Sequence, residues 1–468
     1  MESNQPSGID RQIQASSMSI SGVNTYLYIE CLEEASFLYE HRLAHETDSD
    51  VFWPEIEDLE IRFDAYIDLL VLGNDLAIAV CRQQATEGDF GELHAAIRVF
   101  CRQDKQDLIV DVLDELDFED EERVKAVSDA LCYELPESWQ DEFLDKLLEK
   151  DYDCSLIAVN VIAFKRLDYS EKLYEILLNK ETPKELLIAI FHAIGRIRPK
   201  FKIDNVLDFL SNEDKGIVDS AVNALIRIGD YSVLSNLKSQ IIPEDFPKIS
   251  AGLWGNKDSV NNIILKPNSE GEKKLIHKDY ILAAGLIGNT SIILNLIESL
   301  SIDALSENVS LALNLITGAE LYENHFIPEE INEDMLFEDE LEKYYKGELY
   351  APGEEPGETI TRLSQNTETW QNWWNDNNQN FDPDIRYRNG KPYSPECLIE
   401  NLKSEKSPDI IRKLAHEELV IRYSIEFPFE TEMLVKDQIV AIEQYENWLE
   451  ANPDKFAKGK WYFHGKLI

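Results

Sequence analysis

"RIGDYSVLSNLKS" occupies residues 227–239, and "LIGNTSIILNLIE" occupies residues 286–298. The two align without a gap at an offset of 59, about two units of ~30 residues, a period at which helical repeats recur. Between and before them, "HAIGRIRPK" (192–200), "NVIAFKRLD" (160–168) and "DALCYELPE" (129–137) each end an Ala-rich apolar helix on a breaker. Units are therefore expected to begin near 91, 121, 151, 181, 213, 243, 277 and 304. Each is read as two short helices. Neither helix can bury its apolar face alone, so stacked pairs share one continuous core and present a curved surface. Ala221, Ala224, Gly229, Ala283, Ala284 and Gly288 keep the helix faces small enough for close approach. The spacing predicts an all-α chain built as an α-solenoid over 91–326.

Residues 1–21 are polar and read as a flexible tail. Over 22–90 the apolar residues keep helical spacing, as in "YLYIECLEEASFLYEHRLAH", which predicts an N-terminal helical cap. After the array, 327–358 is an acidic insertion that includes Glu329, Glu330, Glu333 and Asp334 and has only Lys343 and Lys346 as basic residues. Residues 359–468 form a C-terminal helical module that uses one pattern twice. "WQNWWNDNNQNFDPDIRYRNGK" (370–391) aligns with "YENWLEANPDKFAKGKWYFHGK" (445–466) at an offset of 75. The shared spacing is W–x7–F–x5–Y–x2–G–K. It places Trp370, Trp373, Trp374, Phe381 and Tyr387 in one copy and Trp448, Phe456 and Tyr462 in the other. That spacing fits a helix, a turn and an aromatic segment folding back. Arg386 and Arg388 become Trp461 and Phe463 in the second copy, so the groups that chemistry would need are not repeated. A pattern used twice is read as an architectural lock built on amphipathic aromatics.

The charge narrows the function. Ninety acidic residues stand against 45 basic ones, for a net charge of −45. Such a chain lacks the cationic surface by which nucleic acids and anionic lipids are held. It favours fast, salt-sensitive association with a basic protein. The first 22 residues have no apolar signal-peptide core, and no apolar run is long enough to span a bilayer. The six cysteines are scattered, as small buried residues of a reducing compartment would be. These features predict a soluble, cytoplasmic protein without nucleic-acid or membrane partners.

The ending "LITGAEL" followed by "WQNWWNDNNQNF" resembles the close of bacterial HEAT-like arrays, an L-T-G element and then W-x-x-W-W-x-x-N. The opening "LEEASFLYEHRL" and "EDLEIRFDAYIDLLVLG", and the block "RYRNGKPYSPECLIENL", are similar to one uncharacterised bacterial HEAT-repeat family. The resemblance runs over nearly the whole chain from about residue 28. It implies a HEAT-like solenoid and no established reaction. Some members are thought to lie near type VI secretion or polymorphic-toxin genes, which implies an accessory or immunity role. The heavier acidic load and the 327–358 insertion depart from that family, so its partners do not carry over.

Motifs for phosphate, dinucleotide, hydrolase or metalloprotease chemistry are absent from the sequence, and no cofactor, metal or catalytic residue is expected. His41 and His45 sit at i, i+4 beside Glu46 without an evident third ligand. Candidate partner-binding residues fall in three groups. The first is the acidic run Asp111, Asp114, Glu115, Asp117, Glu119 and Asp120. The second comes from aligning the repeat ends, which puts Tyr133, Arg196 and Arg227 at one register and Asp129, His192 and Asn223 one turn earlier. The third is the acidic insertion. The leading expectation is a non-enzymatic immunity protein that occludes a basic toxin domain. The rivals are a scaffold or adaptor of a secretion system and an enzyme on a HEAT-like frame.

Overall fold

A computed structural model describes residues 8–47, 51–198, 204–229, 248–259, 277–329, 331, 336–346, 349–350 and 356–468. The chain is mostly helical with a few short strands. It divides into two compact units. The first comprises Met1–Pro247, Leu398–Lys455 and Phe463–Lys466, and the second Lys248–Cys397, Phe456–Tyr462 and Leu467–Ile468.

The first unit opens with α1 (Gly8–Thr47), α2 (Ile56–Leu72) and α3 (Asn74–Glu87). The helix α1 runs back through the segment expected to be a tail. No proline occurs between Pro6 and Pro54, and a helix already nucleated by packing adds residues cheaply until something stops it. Then come α4 (Phe90–Arg102), α5 (Gln106–Glu115), α6 (Glu121–Glu134), α7 (Gln140–Lys150), α8 (Tyr152–Lys165), α9 (Ser170–Leu178), α10 (Lys184–Ile197) and α11 (Lys215–Ile228). The helices α4, α6, α8, α10 and α11 form a row in which each packs on the next. Four of the five starts share one device. The carboxylates of Asp89, Asp120, Asp151 and Asp214 accept the N–H of Glu92 (2.7 Å), Arg123 (3.1 Å), Cys154 (2.8 Å) and Ile217 (3.2 Å). Each such cap is worth about 1 kcal/mol. Three of the ends share another, since Arg166, Arg198 and Gly229 leave α8, α10 and α11 in the left-handed conformation. Eleven of the thirteen residues of α4 are buried, because α1 and α3 cover it on one side and α6 on the other.

The second unit contains α12 (Lys248–Trp254), α13 (Lys278–Ile287), α14 (Ile293–Ser299) and α15 (Asp303–Thr317). The helices α12, α13 and α15 pack in succession. A Cβ on Gly285 would lie 3.0 Å from the Ala312 Cα, so only small residues fit where α13 meets α15. The starts of α4, α6, α8, α10, α11, α12, α13 and α15 fall within five residues of the eight expected unit starts. Residues 230–239 of the aligned pair lie outside the described residues, as do the residues around 243.

The reading of 327–358 missed a ribbon. Strand β1 (Tyr322–Pro328) pairs antiparallel with β2 (Gly357–Leu363), from Tyr322 opposite Leu363 to Pro328 opposite Gly357. The acidic stretch, with α16 (Glu338–Lys346), is the connection between these strands. Its dense charge, prolines and glycines obscured the alternation of the flanks. The chain continues through α17 (Thr367–Asn377), strands β3 (Tyr387–Arg388) and β4 (Lys391–Pro392), α18 (Pro395–Lys403), α19 (Asp409–Tyr423) and α20 (Val435–Ala451), and closes on β5 (Tyr462–Phe463) and β6 (Lys466–Leu467). Residues 359–468 are thus shared between the two units. No helix among the described residues is long and apolar enough to cross a membrane.

Candidate functional site

The aligned repeat ends do converge, and the chain itself occupies them. Tyr133, Arg196 and Arg227 stand near the C-terminal ends of α6, α10 and α11. Along them runs "SIEFPFETEML" (424–434), the connection from α19 to α20. The Tyr133 Oη donates to the Glu432 carbonyl at 2.7 Å. Arg196 grips the Glu430 carboxylate with Nε (2.6 Å) and Nη2 (2.7 Å), and Arg166 adds a third donor at 2.7 Å. Arg227 donates to Glu426 at 2.8 Å and also pairs with Glu417, while Arg198 reaches the other Glu426 oxygen at 2.8 Å. The segment descends in number from Glu432 to Glu426 as the row ascends from α6 to α11. Ile425, Phe429, Glu430 and Thr431 are buried there, and so are Arg196 and Arg227.

The electrostatics follow from this burial. Removal from water alone pushes the Glu430 carboxyl up, but Arg196 and Arg166 overcome it and hold the group well below the usual carboxylate range. One turn earlier, Asp129 accepts the Tyr39 Oη at 2.9 Å and pairs with Lys125, whereas His192 and Asn223 are exposed. Arg196 and Arg227 are therefore not on a free face.

At the other end of the row, a cavity is lined by Tyr39, Arg42, Glu60, Phe63, His94 and Arg98, among others. The His94 ring stacks on Tyr39 at 3.8 Å, and its Nδ1 lies 3.0 Å from the Ala126 carbonyl oxygen. Burial, with Arg98 close by, keeps it neutral by lowering its pKa well below the ordinary value. Arg42 Nε donates to Glu60 at 2.8 Å, and the second Glu60 oxygen accepts the Val435 N–H at 2.8 Å. Arg98 bridges Asp64 (2.8 Å) and Glu134 (2.9 Å). These charges are matched across the cavity, which makes it a structural ion network.

The acidic run is divided in its duties. Asp120 caps α6, Asp117 accepts the Glu119 N–H at 3.0 Å, Asp114 pairs with Lys150 at 2.6 Å and Asp111 with Arg82 at 3.0 Å. Asp111, Asp114, Glu115, Asp117 and Glu119 are exposed. In the insertion, Glu329 is exposed at the end of β1, while Glu330, Glu333 and Asp334 lie outside the described residues.

The two tryptophan motifs have one construction. In the first, Phe381 meets Tyr387 edge to face at 4.8 Å, and the Tyr387 Oη accepts the Asp382 N–H at 2.7 Å. In the second, Phe456 meets Tyr462 at 5.1 Å, and the Tyr462 Oη accepts the Ala457 N–H at 2.9 Å. Asn377 and Asn452 each donate to the carbonyl of the motif tryptophan, Trp373 and Trp448, at 2.8 Å. Each motif ends in a turn with two left-handed residues, Asn389–Gly390 and His464–Gly465. Those turns cap helices. The N–H groups of Asn389 and Gly390 donate to Leu315 (2.7 Å) and Ile316 (3.1 Å) at the end of α15, and those of His464 and Gly465 to Ile421 and Arg422 (both 2.8 Å) at the end of α19. The orphan carbonyls of two helix ends are thus satisfied by two copies of one hairpin. Trp370 is buried with its Nε1 donating to the Ser364 carbonyl at 2.7 Å, Trp373 and Trp374 flank Phe381, and Arg386 Nε donates to the Ile287 carbonyl at 2.9 Å.

The His41 and His45 rings meet at 4.4 Å, tilted by 38°, and no group of three His, Cys, Asp or Glu suited to a metal occurs among the described residues. Sequence reasoning missed Arg42, Arg98, Arg166, Glu417, Glu426 and Glu430. Arg166 stands in one of the aligned helix ends, the signal that could have found it. The glutamates carried no periodic signal. No protein-family model matches the chain, and no curated protein or solved structure shows significant similarity to it.

Proposed function

We propose that this chain is a non-enzymatic, HEAT-type solenoid that binds a cationic protein, acting as an immunity protein that occludes a basic toxin or effector domain. The supporting observation is where the charges are. Among the described residues eight arginines are buried, namely Arg42, Arg98, Arg196, Arg227, Arg386, Arg388, Arg412 and Arg422. Among the described residues only Glu60, Glu92, Glu418 and Glu430 are buried carboxylates, out of ninety acidic residues in the chain. The surface is therefore more anionic than the composition. Such a surface steers a basic partner and rejects phosphate-rich ones. Its carboxylates stand in for the phosphates that a nucleic-acid-directed toxin would grip. Asp111 and Glu115 on α5, Glu119 shortly after it, and Glu329 at the end of β1 are the contact residues this reading favours.

The test is purification of the tagged chain from its native host at low and high salt. One stoichiometric basic partner, lost at high salt, supports the reading, and co-expression should then relieve that partner's toxicity. Several weakly held secretion components would assign an adaptor instead.

A further inference from the structure

The two copies of the tryptophan motif share a scaffold but not a surface. Trp373, Asn377, Phe381 and Tyr387 recur as Trp448, Asn452, Phe456 and Tyr462, and these residues build the motif. Gln371, Trp374, Asn375 and Asn378 do not recur. Glu446, Leu449, Glu450 and Pro453 hold their places in the second copy, so the motif forms without them. There the Lys455 ammonium lies over the Trp448 ring at 5.2 Å, and Glu446 pairs with Lys403 at 2.7 Å. The first copy has Asn380 where Lys455 stands. The four unshared residues lie at i, i+3, i+4 and i+7 along α17 and the 3-10 turn that follows it (Asn378–Asn380), which gathers them into one patch.

The patch is held in place by its own contacts. Trp374 and Gln371 are half-buried, and Asn375 and Asn378 are exposed. The Trp374 ring lies against Phe381 (5.4 Å) and Trp373 (6.5 Å). Gln371 Nε2 donates to Asn375 Oδ1 at 3.1 Å, and Asn378 Nδ2 donates to the Asn375 carbonyl at 3.4 Å. These bonds orient the amides. They leave Gln371 Oε1, Asn378 Oδ1, Asn375 Nδ2 and Trp374 Nε1 without protein partners among the described residues. Acceptors and donors therefore stand together around one aromatic ring.

That mixture selects the ligand. An anion would face the two acceptors and the exposed Glu368 one turn before Gln371, with no Lys or Arg anywhere in 366–381. A cation would leave both donors unmatched. A hydroxyl both donates and accepts, and the C–H face of a pyranose meets the electron-rich face of an aromatic ring. We propose that this patch binds a neutral sugar, with one pyranose on Trp374 and its hydroxyls on Gln371, Asn375 and Asn378. A ligand without charge is not repelled by a chain of net charge −45. The site is independent of the reading of the chain as a binder of a basic protein.

The probes are cellohexaose, maltohexaose, laminarihexaose and chitohexaose, each titrated into the full chain by isothermal calorimetry. At least one binds, with the same affinity at low and high salt, as an uncharged ligand requires. The second copy of the motif supplies the variants. Trp374→Leu weakens binding about tenfold or more, the scale of losing an aromatic anchor. Asn375→Glu weakens it about threefold to tenfold, the scale of a lost hydrogen bond. Each variant gives the first copy a residue that the second already carries, so circular dichroism should stay unchanged. Failure of all four sugars to bind overturns the proposal, and so does binding that Trp374→Leu leaves intact. An arginine–valine peptide is the rival probe. If the peptide binds, and Trp374→Leu abolishes its binding while no sugar competes with it, the patch belongs to a protein partner and the sugar site falls. Loss of the sugar site leaves the proposed function standing, because that reading is tested by the salt-sensitive basic partner.

Discussion

Glu430 and Arg196 form a two-pronged buried ion pair, at 2.6 and 2.7 Å, across 234 residues of intervening chain. Arg166 completes it from the neighbouring helix. Removing one partner of a buried pair strands the other charge, which typically costs about 3–5 kcal/mol. Glu430→Gln should therefore lower stability by about 3 kcal/mol in urea unfolding, because Arg166 and Arg196 both lose their counter-charge. Glu432→Gln should cost under 1 kcal/mol, since Glu432 meets Tyr133 through its backbone and its side chain pairs with Lys413 near the surface. Equal effects of the two variants would contradict this account.

Acid should weaken the same region. Burial, with Arg227 nearby, pushes His416 down to about 3, and burial pushes His464 down to about 4. Both folded values lie below the ordinary histidine value of 6.5, so the unfolded chain binds more protons as pH falls from 6.5. Their contribution to stability is complete above pH 6.5 and is lost between there and pH 4 to 3. For His416 it amounts to a few kcal/mol, at about 1.4 kcal/mol per pKa unit. Glu46, raised to about 7 chiefly by burial, acts with the opposite sign between pH 4.5 and 7. Comparing His416→Gln with the parent chain isolates the histidine. The variant's stability should fall less steeply from pH 6.5 to 4.5, and parallel curves would refute the assignment.

The paired hairpins permit a matched test. Tyr387→Phe and Tyr462→Phe each remove the acceptor for one backbone N–H, so each should cost about 1–2 kcal/mol. Gly390→Ala should cost more, because φ is +73° and the new Cβ would lie 2.5 Å from the Thr317 carbonyl oxygen. Thermal unfolding of the three variants reads this directly.

Reversing charge at Asp111, Glu115 and Glu119 together should slow association with a basic partner at low salt and leave the fold intact. Stopped-flow rates should drop at least tenfold and converge with the parent at high salt, as screened steering requires. Rates unaffected at low salt would remove this patch from the binding surface.

The helix starts were legible because local devices mark them, an aspartate cap at the start of four of the five row helices and a left-handed residue at the end of three. Both depend on near neighbours, which a sequence displays. The duplicated tryptophan motif was legible for the same reason. The pairing of Arg196 with Glu430 was not, because a helix face announces that it is polar without saying what will cover it. Arg196 and Arg227 were read as open when the chain's own 424–434 segment fills their register. The backward run of α1 to Gly8 was not legible, because nothing local marks where a packed helix stops extending backwards.

The first unit is completed by Leu398–Lys455, which follows the Lys248–Cys397 stretch of the second unit in the chain, and this sets an order of events during translation. At about 5–20 residues per second, Glu430 emerges roughly 10–50 s after Arg196. A row from α4 to α11 that folds within that interval has Arg166, Arg196 and Arg227 without their carboxylates and the seat of Phe429 uncovered. Such an intermediate would present those arginines as a cationic groove on a polypeptide that is acidic in total. A chaperone, or the acidic chain still being made, is what that groove would meet first.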